Sequence, residues 1–204
     1  TWPRRSFTLR AAPIPKGCIF SHAGMMAFVP FNELNFTLAL FNSSIFDSLI
    51  RIRAITQFEV GLIQTNPFPA DKPFLRDIGL LASKLSENMR EIDSCLETCR
   101  DFSLPNNMFL KSGNLKENFK KIKNWVSNLD NENLSIQNEI NNYFFEQYSV
   151  DLEDQYALTK GEIGIIQKIK SNNLIINKEF FINSFVSYCL GAIFGRWDIR
   201  YATG

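Results

Sequence analysis

A chain of 204 residues that is 45 % apolar and holds nineteen phenylalanines has the composition of a packed protein and not of a disordered one. At that length folding buries about 70 % of the unfolded surface, enough for one core or two small ones. A net charge of +1 and a pI near 7.5 exclude the profile of a stand-alone nucleic-acid-binding domain, whose pI lies above about 9.

The first seventy residues read as mixed α/β. Short strand-like runs at Phe7–Arg10, Gly17–Ser21 and Met25–Val29 are divided by Pro13, Pro15 and Gly24. Asn32 is placed to cap a helix running to about Phe41. Ser44, with Asp47 three residues later, is placed to cap a second helix through about Ala54. Phe58–Gln64 is expected to return as a strand, closed by Pro67, Pro69 and Pro73.

From Phe74 to Cys99 the apolar positions Ile78, Leu81, Leu85, Ile92, Cys95 or Leu96, and Cys99 alternate in threes and fours, one stripe on a long helix. The stripe can be a coiled-coil seam or a core face; its short length and Asn88 on the seam favour packing within the chain. A loop is expected around Ser103–Asn114. A helix from Lys116 would bury Phe119, Ile122, Trp125 or Val126, and Leu129, with its lysines facing solvent or phosphate. A separate helix over roughly Leu134–Tyr148 would turn Ile136, Ile140, Tyr143 and Phe144 inward. Asp151–Asp154 opens a short helix, Thr159–Glu162 caps another, and Asn177 caps the last, with Phe181, Phe185, Tyr188 and Cys189 inward. The fold class expected is α+β, with a small mixed α/β part over residues 1–72 and a mainly helical region over 73–204.

The cysteines Cys18, Cys95, Cys99 and Cys189 match no disulfide or zinc spacing, and the reading is of reduced, buried thiols in a cytoplasmic protein. Phe180–Phe194, interrupted by Asn183, Ser184 and Ser187, is too short for about 30 Å of hydrocarbon, so no membrane partner is expected. Charge is uneven: residues 1–76 hold eight Lys/Arg against four acids, and the remainder is net acidic. That asymmetry fits one face on a polyanion.

Four stretches carry a resemblance. They are Gly17-Cys-Ile-Phe-Ser-His-Ala-Gly24, Leu38-Ala-Leu-Phe-Asn-Ser-Ser-Ile-Phe46, Phe58-Glu-Val-Gly-Leu-Ile-Gln-Thr-Asn-Pro-Phe-Pro69 and Gly195-Arg-Trp-Asp-Ile-Arg200. In this order they resemble large bacterial adenine-specific DNA methyltransferases of the fused restriction–modification and BREX-type phage-defence families. The resemblance implies a target-recognition region over residues 1–72 with a helical connector after it. It also implies double-stranded DNA as partner and a catalytic domain elsewhere in the same polypeptide. That domain would use S-adenosylmethionine to methylate a flipped adenine. The abrupt ends at Thr1 and Gly204 are read as cuts in a longer bacterial chain.

Within these residues no cofactor site and no catalytic set is expected. The family's Asn-Pro-Pro-aromatic motif is imitated by Asn66-Pro67-Phe68-Pro69, but with ring and second proline exchanged, so the ring would not project where a base needs it. No glycine-rich turn follows a strand, and the only histidine, His22, reads as a turn residue. What remains is recognition by arginine, which clamps phosphate and reads guanine edges. The candidates are Arg4 and Arg5 first, then Arg10, Arg51 and Arg53, then Arg196 and Arg200, with an Arg196–Asp198 pair as the competing role for Arg196. The reading from a different class is a non-catalytic helical protein–protein interaction module.

Overall fold

The computed structural model describes residues 1–19, 22, 24–54, 56–69, 74–99, 101–103, 114–160 and 177–196. The architecture is α+β, a small two-stranded sheet at the amino-terminal end with a mainly helical remainder. The strands are β1 (Trp2–Pro3) and β2 (Gly24–Met25), antiparallel, with Trp2 opposite Met25. A 3-10 turn at Phe31–Glu33 leads into α1 (Leu34–Phe41), followed by α2 (Ser44–Arg51) and α3 (Val60–Gln64). Beyond these come α4 (Leu75–Asp93), α5 (Leu115–Gln147), α6 (Leu152–Lys160) and α7 (Lys178–Ile193). Among the described residues no helix is long and apolar enough to cross a membrane.

Two compact units divide the described chain: residues 1–85 with 133–160, and residues 86–132 with 177–196. In the first, Trp2, Phe36, Phe41, Phe46, Phe58 and Phe144 are buried in one core. Trp2 meets Phe41 edge-on at 5.7 Å and donates its indole N–H to the Phe58 carbonyl at 2.9 Å. Phe41 and Phe46 stack at 5.1 Å, and Phe36 meets Phe144 edge-on at 5.5 Å. Ile78 and Ala82 of α4 belong to the same core, so the α4 stripe does pack within the chain, with Ala82 buried where Leu81 was expected and Leu81 half-buried beside it.

The corner between α1 and α2 is polar and largely buried, and α5 supplies partners to two of its backbone groups. Ser43 caps α2, its hydroxyl accepting from Phe46 N–H at 3.3 Å, one residue earlier than the expected Ser44. Ser44 N–H, another orphan of that helix start, donates to Asn141 Oδ1 at 3.0 Å. Gln137 donates to the Asn42 carbonyl at 3.3 Å. Asp47 acts at longer range than a capping residue, accepting the Leu9 N–H at 2.8 Å.

The second unit has a smaller core of Ile92, Ile122, Val126, Leu129 and Phe181, with Phe119 on Phe181 at 5.2 Å. Asn88, the polar residue on the α4 seam, is buried and donates to Glu132 at 3.0 Å. Asn177 caps α7 as expected, accepting from Glu179 and Phe180 N–H. Phe181 is its buried aromatic, with Phe185, Tyr188 and Cys189 half-buried.

Several expected elements differ. The strand runs at Phe7–Arg10 and Met25–Val29 do not form, apart from Met25 itself; in the first, the Leu9 N–H goes to the Asp47 side chain instead of a ladder. Residues 17–19 of the expected Gly17–Ser21 strand are not strand either, and its last two residues lie outside the described residues. Phe58–Gln64 becomes the short helix α3, since only Phe58 and Ile63 need burial and the Glu59 carbonyl accepts from Leu62 and Ile63. The two helices expected over 116–129 and 134–148 are one helix. No glycine or proline interrupts Leu115–Gln147, and Asn133 sits buried on the stripe. The helix expected to start at the Thr159–Glu162 box lies outside the described residues beyond Lys160.

Candidate nucleic-acid interface

The five amino-terminal arginines lie on two stretches that the fold sets side by side. Phe58 N–H donates to the Arg4 carbonyl at 2.9 Å and Ser6 N–H to the Thr56 carbonyl at 3.1 Å, while Arg5 and Gln57 form an antiparallel bridge. Residue 9 is then tied to α2 through Asp47, and α2 ends on Arg51, two residues before Arg53. The chain thus brings residues 4–10 alongside 47–58, a proximity that hydrophobic periodicity could not supply.

Their side chains are not equivalent. Arg4 is engaged: its Nη2 and Nε reach Glu59 Oε1 at 2.7 and 2.8 Å. Such a half-exposed pair stabilises by only about 0–1 kcal/mol, so its consequence is a neutralised charge. Arg5, Arg10 and Arg53 are exposed and have no carboxylate in ion-pair distance among the described residues. Arg53 donates to Thr65 Oγ1 at 2.7 Å and Arg10 to Thr8 Oγ1 at 3.3 Å, neutral partners that leave the positive charge in place. Arg51 is half-buried in the last turn of α2. In the second unit Arg196 pairs with Glu97 at 3.3 Å. Asp198 and Arg200 lie outside the described residues. Two of the expected contacts, Arg4 and Arg196, are therefore ion-paired, each because an acid distant in sequence is folded against it.

The imitation of a methyltransferase motif is spent on structure. The Asn66 amide donates to the Leu62 carbonyl at 2.7 Å, ending α3, and Phe68 sits edge-on to Phe41 and Phe46 at 6.0 and 5.7 Å. Pro67 offers its carbonyl to the Tyr148 hydroxyl at 2.6 Å. His22 is exposed in the turn before β2. Burial pushes the Cys95 thiol up to about 11, and Cys99 is raised by burial and by Asp93, so both stay protonated at neutral pH. Among the described residues no three His, Cys, Asp or Glu are grouped to hold a metal ion.

Burial also raises the Tyr148 phenol from 10.0 to about 12. A phenol gains its charge by losing a proton, so the folded chain holds that proton more tightly than the unfolded one. The stabilisation is complete below pH 10.0 and is lost as pH rises through about 12. Burial raises the Tyr143 phenol as well, so absorbance titration should show two tyrosines ionising late, and Tyr148→Phe should remove the step near 12 and flatten the alkaline loss of stability. A step near 12 that persists in Tyr148→Phe would contradict the assignment.

Compared with protein-family models, curated proteins and solved structures, the chain matches none.

Proposed function

We propose that the first unit is a duplex-DNA recognition surface and that the chain is part of a bacterial adenine-specific DNA methyltransferase of the restriction–modification or phage-defence type. In this reading the chain supplies target recognition and scaffolding, while the remainder of the enzyme holds S-adenosylmethionine and the flipped adenine. The observation that carries it is the joining of residues 4–10 to 47–58, with Arg5, Arg10 and Arg53 exposed on those stretches and opposed by no carboxylate among the described residues. The resemblance of residues 17–24, 38–46, 58–69 and 195–200 supplies the class. Phosphate contacts by such arginines position a protein on duplex without reading sequence.

Glu59 gives the test a gain as well as a loss. Glu59→Gln releases Arg4 and should tighten duplex binding and steepen its salt dependence by up to about one phosphate contact. Arg5→Ala with Arg53→Ala should flatten that dependence by about two contacts. Arg4→Ala alone should leave it unchanged. If neither Glu59→Gln nor the Arg5/Arg53 pair moves affinity, the arginines do not face DNA.

A second reading, an interaction module, is favoured by α7. Ile182, Val186, Leu190 and Ile193 run along it at helical spacing, and they are 45, 49, 49 and 77 % exposed. A contiguous exposed apolar stripe of this kind marks a contact surface.

A further inference from the structure

Among the described residues three side chains other than glycine sit on left-handed backbone: Arg10, Phe74 and Ser149, with φ of 46, 58 and 52°. Two of these are helix boundaries. Ser149 ends α5, where its N–H returns to Glu146 and the Val150 N–H to Phe145. Phe74 opens α4, its carbonyl accepting from Ile78 N–H at 3.0 Å. Arg10 stands at no helix end. A glycine would take its conformation without the Cβ clash, yet the position holds the bulkiest cation available.

The surroundings impose that conformation from both sides. On the amino-terminal side Leu9 is fully buried and its N–H donates to Asp47 Oδ1 at 2.8 Å. On the other, the Ala11 carbonyl accepts from Asn42 Nδ2 at 2.9 Å, and Ala12 N–H reaches the Thr1 carbonyl at 2.8 Å. Asp47 is itself 2 % exposed, and its Oδ2 has no hydrogen-bond partner among the described residues. A buried carboxylate satisfied on one oxygen and a strained arginine are both costly, and both belong to one clamp. Arg10 is exposed beside the clamp, its backbone held and its Nε donating to Thr8 Oγ1 at 3.3 Å, so its main chain has little conformational freedom left to lose on binding an anion.

We infer that Arg10 is a pre-oriented contact to a backbone phosphate of duplex DNA, and that Asp47 and Asn42 are its positioning residues. The inference rests on the DNA-facing reading of the first unit.

The test uses the full 204-residue chain and a fluorescently labelled mixed-sequence duplex, titrated across a salt series. Arg10→Gly removes cation and strain together. Its Tm should rise by about 2 °C, while duplex affinity falls about 3–10-fold and the salt slope flattens by about 0.9. Asp47→Ala should lower Tm and yet lose the same affinity and slope, measured well below its unfolding temperature. Asp47→Asn keeps a side-chain oxygen for Leu9 and should restore both. In an Arg10→Gly background Asp47→Ala should cost no further affinity. Asn42→Ala, which spares the buried carboxylate, should reproduce the affinity loss should Asp47→Ala not fold. An unchanged salt slope in Arg10→Gly, or additive losses in the double variant, overturns the Arg10 assignment while leaving the DNA reading standing. A wild-type chain that binds no duplex overturns the DNA reading and this assignment together.

Discussion

Replacing Phe46 with Ala should cost the first unit about 3–5 kcal/mol, enough to leave it largely unfolded in a domain of ordinary stability. Phe46 has no solvent exposure, stacks on Phe41 at 5.1 Å and 10°, and takes the edge of Phe68 at 5.7 Å. It is also the residue whose N–H completes the Ser43 cap of α2, so its side chain is fixed where that helix begins. Removing the ring deletes these contacts and leaves a cavity that its two rigid ring neighbours, Phe41 and Phe68, cannot fill. Phe46→Leu keeps most of the volume and should cost under about 1.5 kcal/mol. Urea unfolding followed by circular dichroism separates the two. An Ala variant within 1 kcal/mol of the wild type, on the scale of about 3–5 expected for a buried ring, would mean that Phe46 is not in a packed core.

The aromatic count pointed to such a core, but its membership was legible only in part. Helical periodicity located α4 and the inward residues Ile122, Ile136, Ile140 and Phe144, because amphipathic spacing is a local signal. It also located the Asn177 cap, which depends on two neighbouring N–H groups. It failed at residues 130–133, Asp-Asn-Glu-Asn, which read as a break between helices. Weak helix formers do not end a helix when the stripe continues beneath them, as it does through buried Asn133. The strands failed for the opposite reason. Phe7–Arg10 has strand-like composition, but whether its amides find a ladder or a side chain is decided by Asp47, 38 residues from Leu9.

The candidate site follows the same division. That the amino-terminal part is arginine-rich is written in the sequence; which arginines are available is not. Arg4 ranked with Arg5 by position, yet Glu59, 55 residues away, occupies it. Arg196 was matched with Asp198 by proximity, and its described partner is Glu97, 99 residues back. Ion pairs across such separations leave no periodic trace. The clamp on Arg10 was hidden likewise, since Asp47 reads as an ordinary first-turn acid until Leu9 is seen to donate to it.

The salt dependence of duplex binding by the wild-type chain tests the central reading most directly. Arg5, Arg10 and Arg53 are exposed, and no carboxylate opposes them among the described residues. If each displaces a counterion from one phosphate, log affinity should fall against log salt with a slope of about −2.7. That is a loss of about forty-fold between about 50 and 200 mM salt, a larger change than any single substitution should produce. Arg51, half-buried, should add little to it. A linear fall near that slope, halved or better by removing two of the three arginines, is the expected result. Affinity that ignores salt, or no affinity for duplex at the low-salt end, would contradict the account.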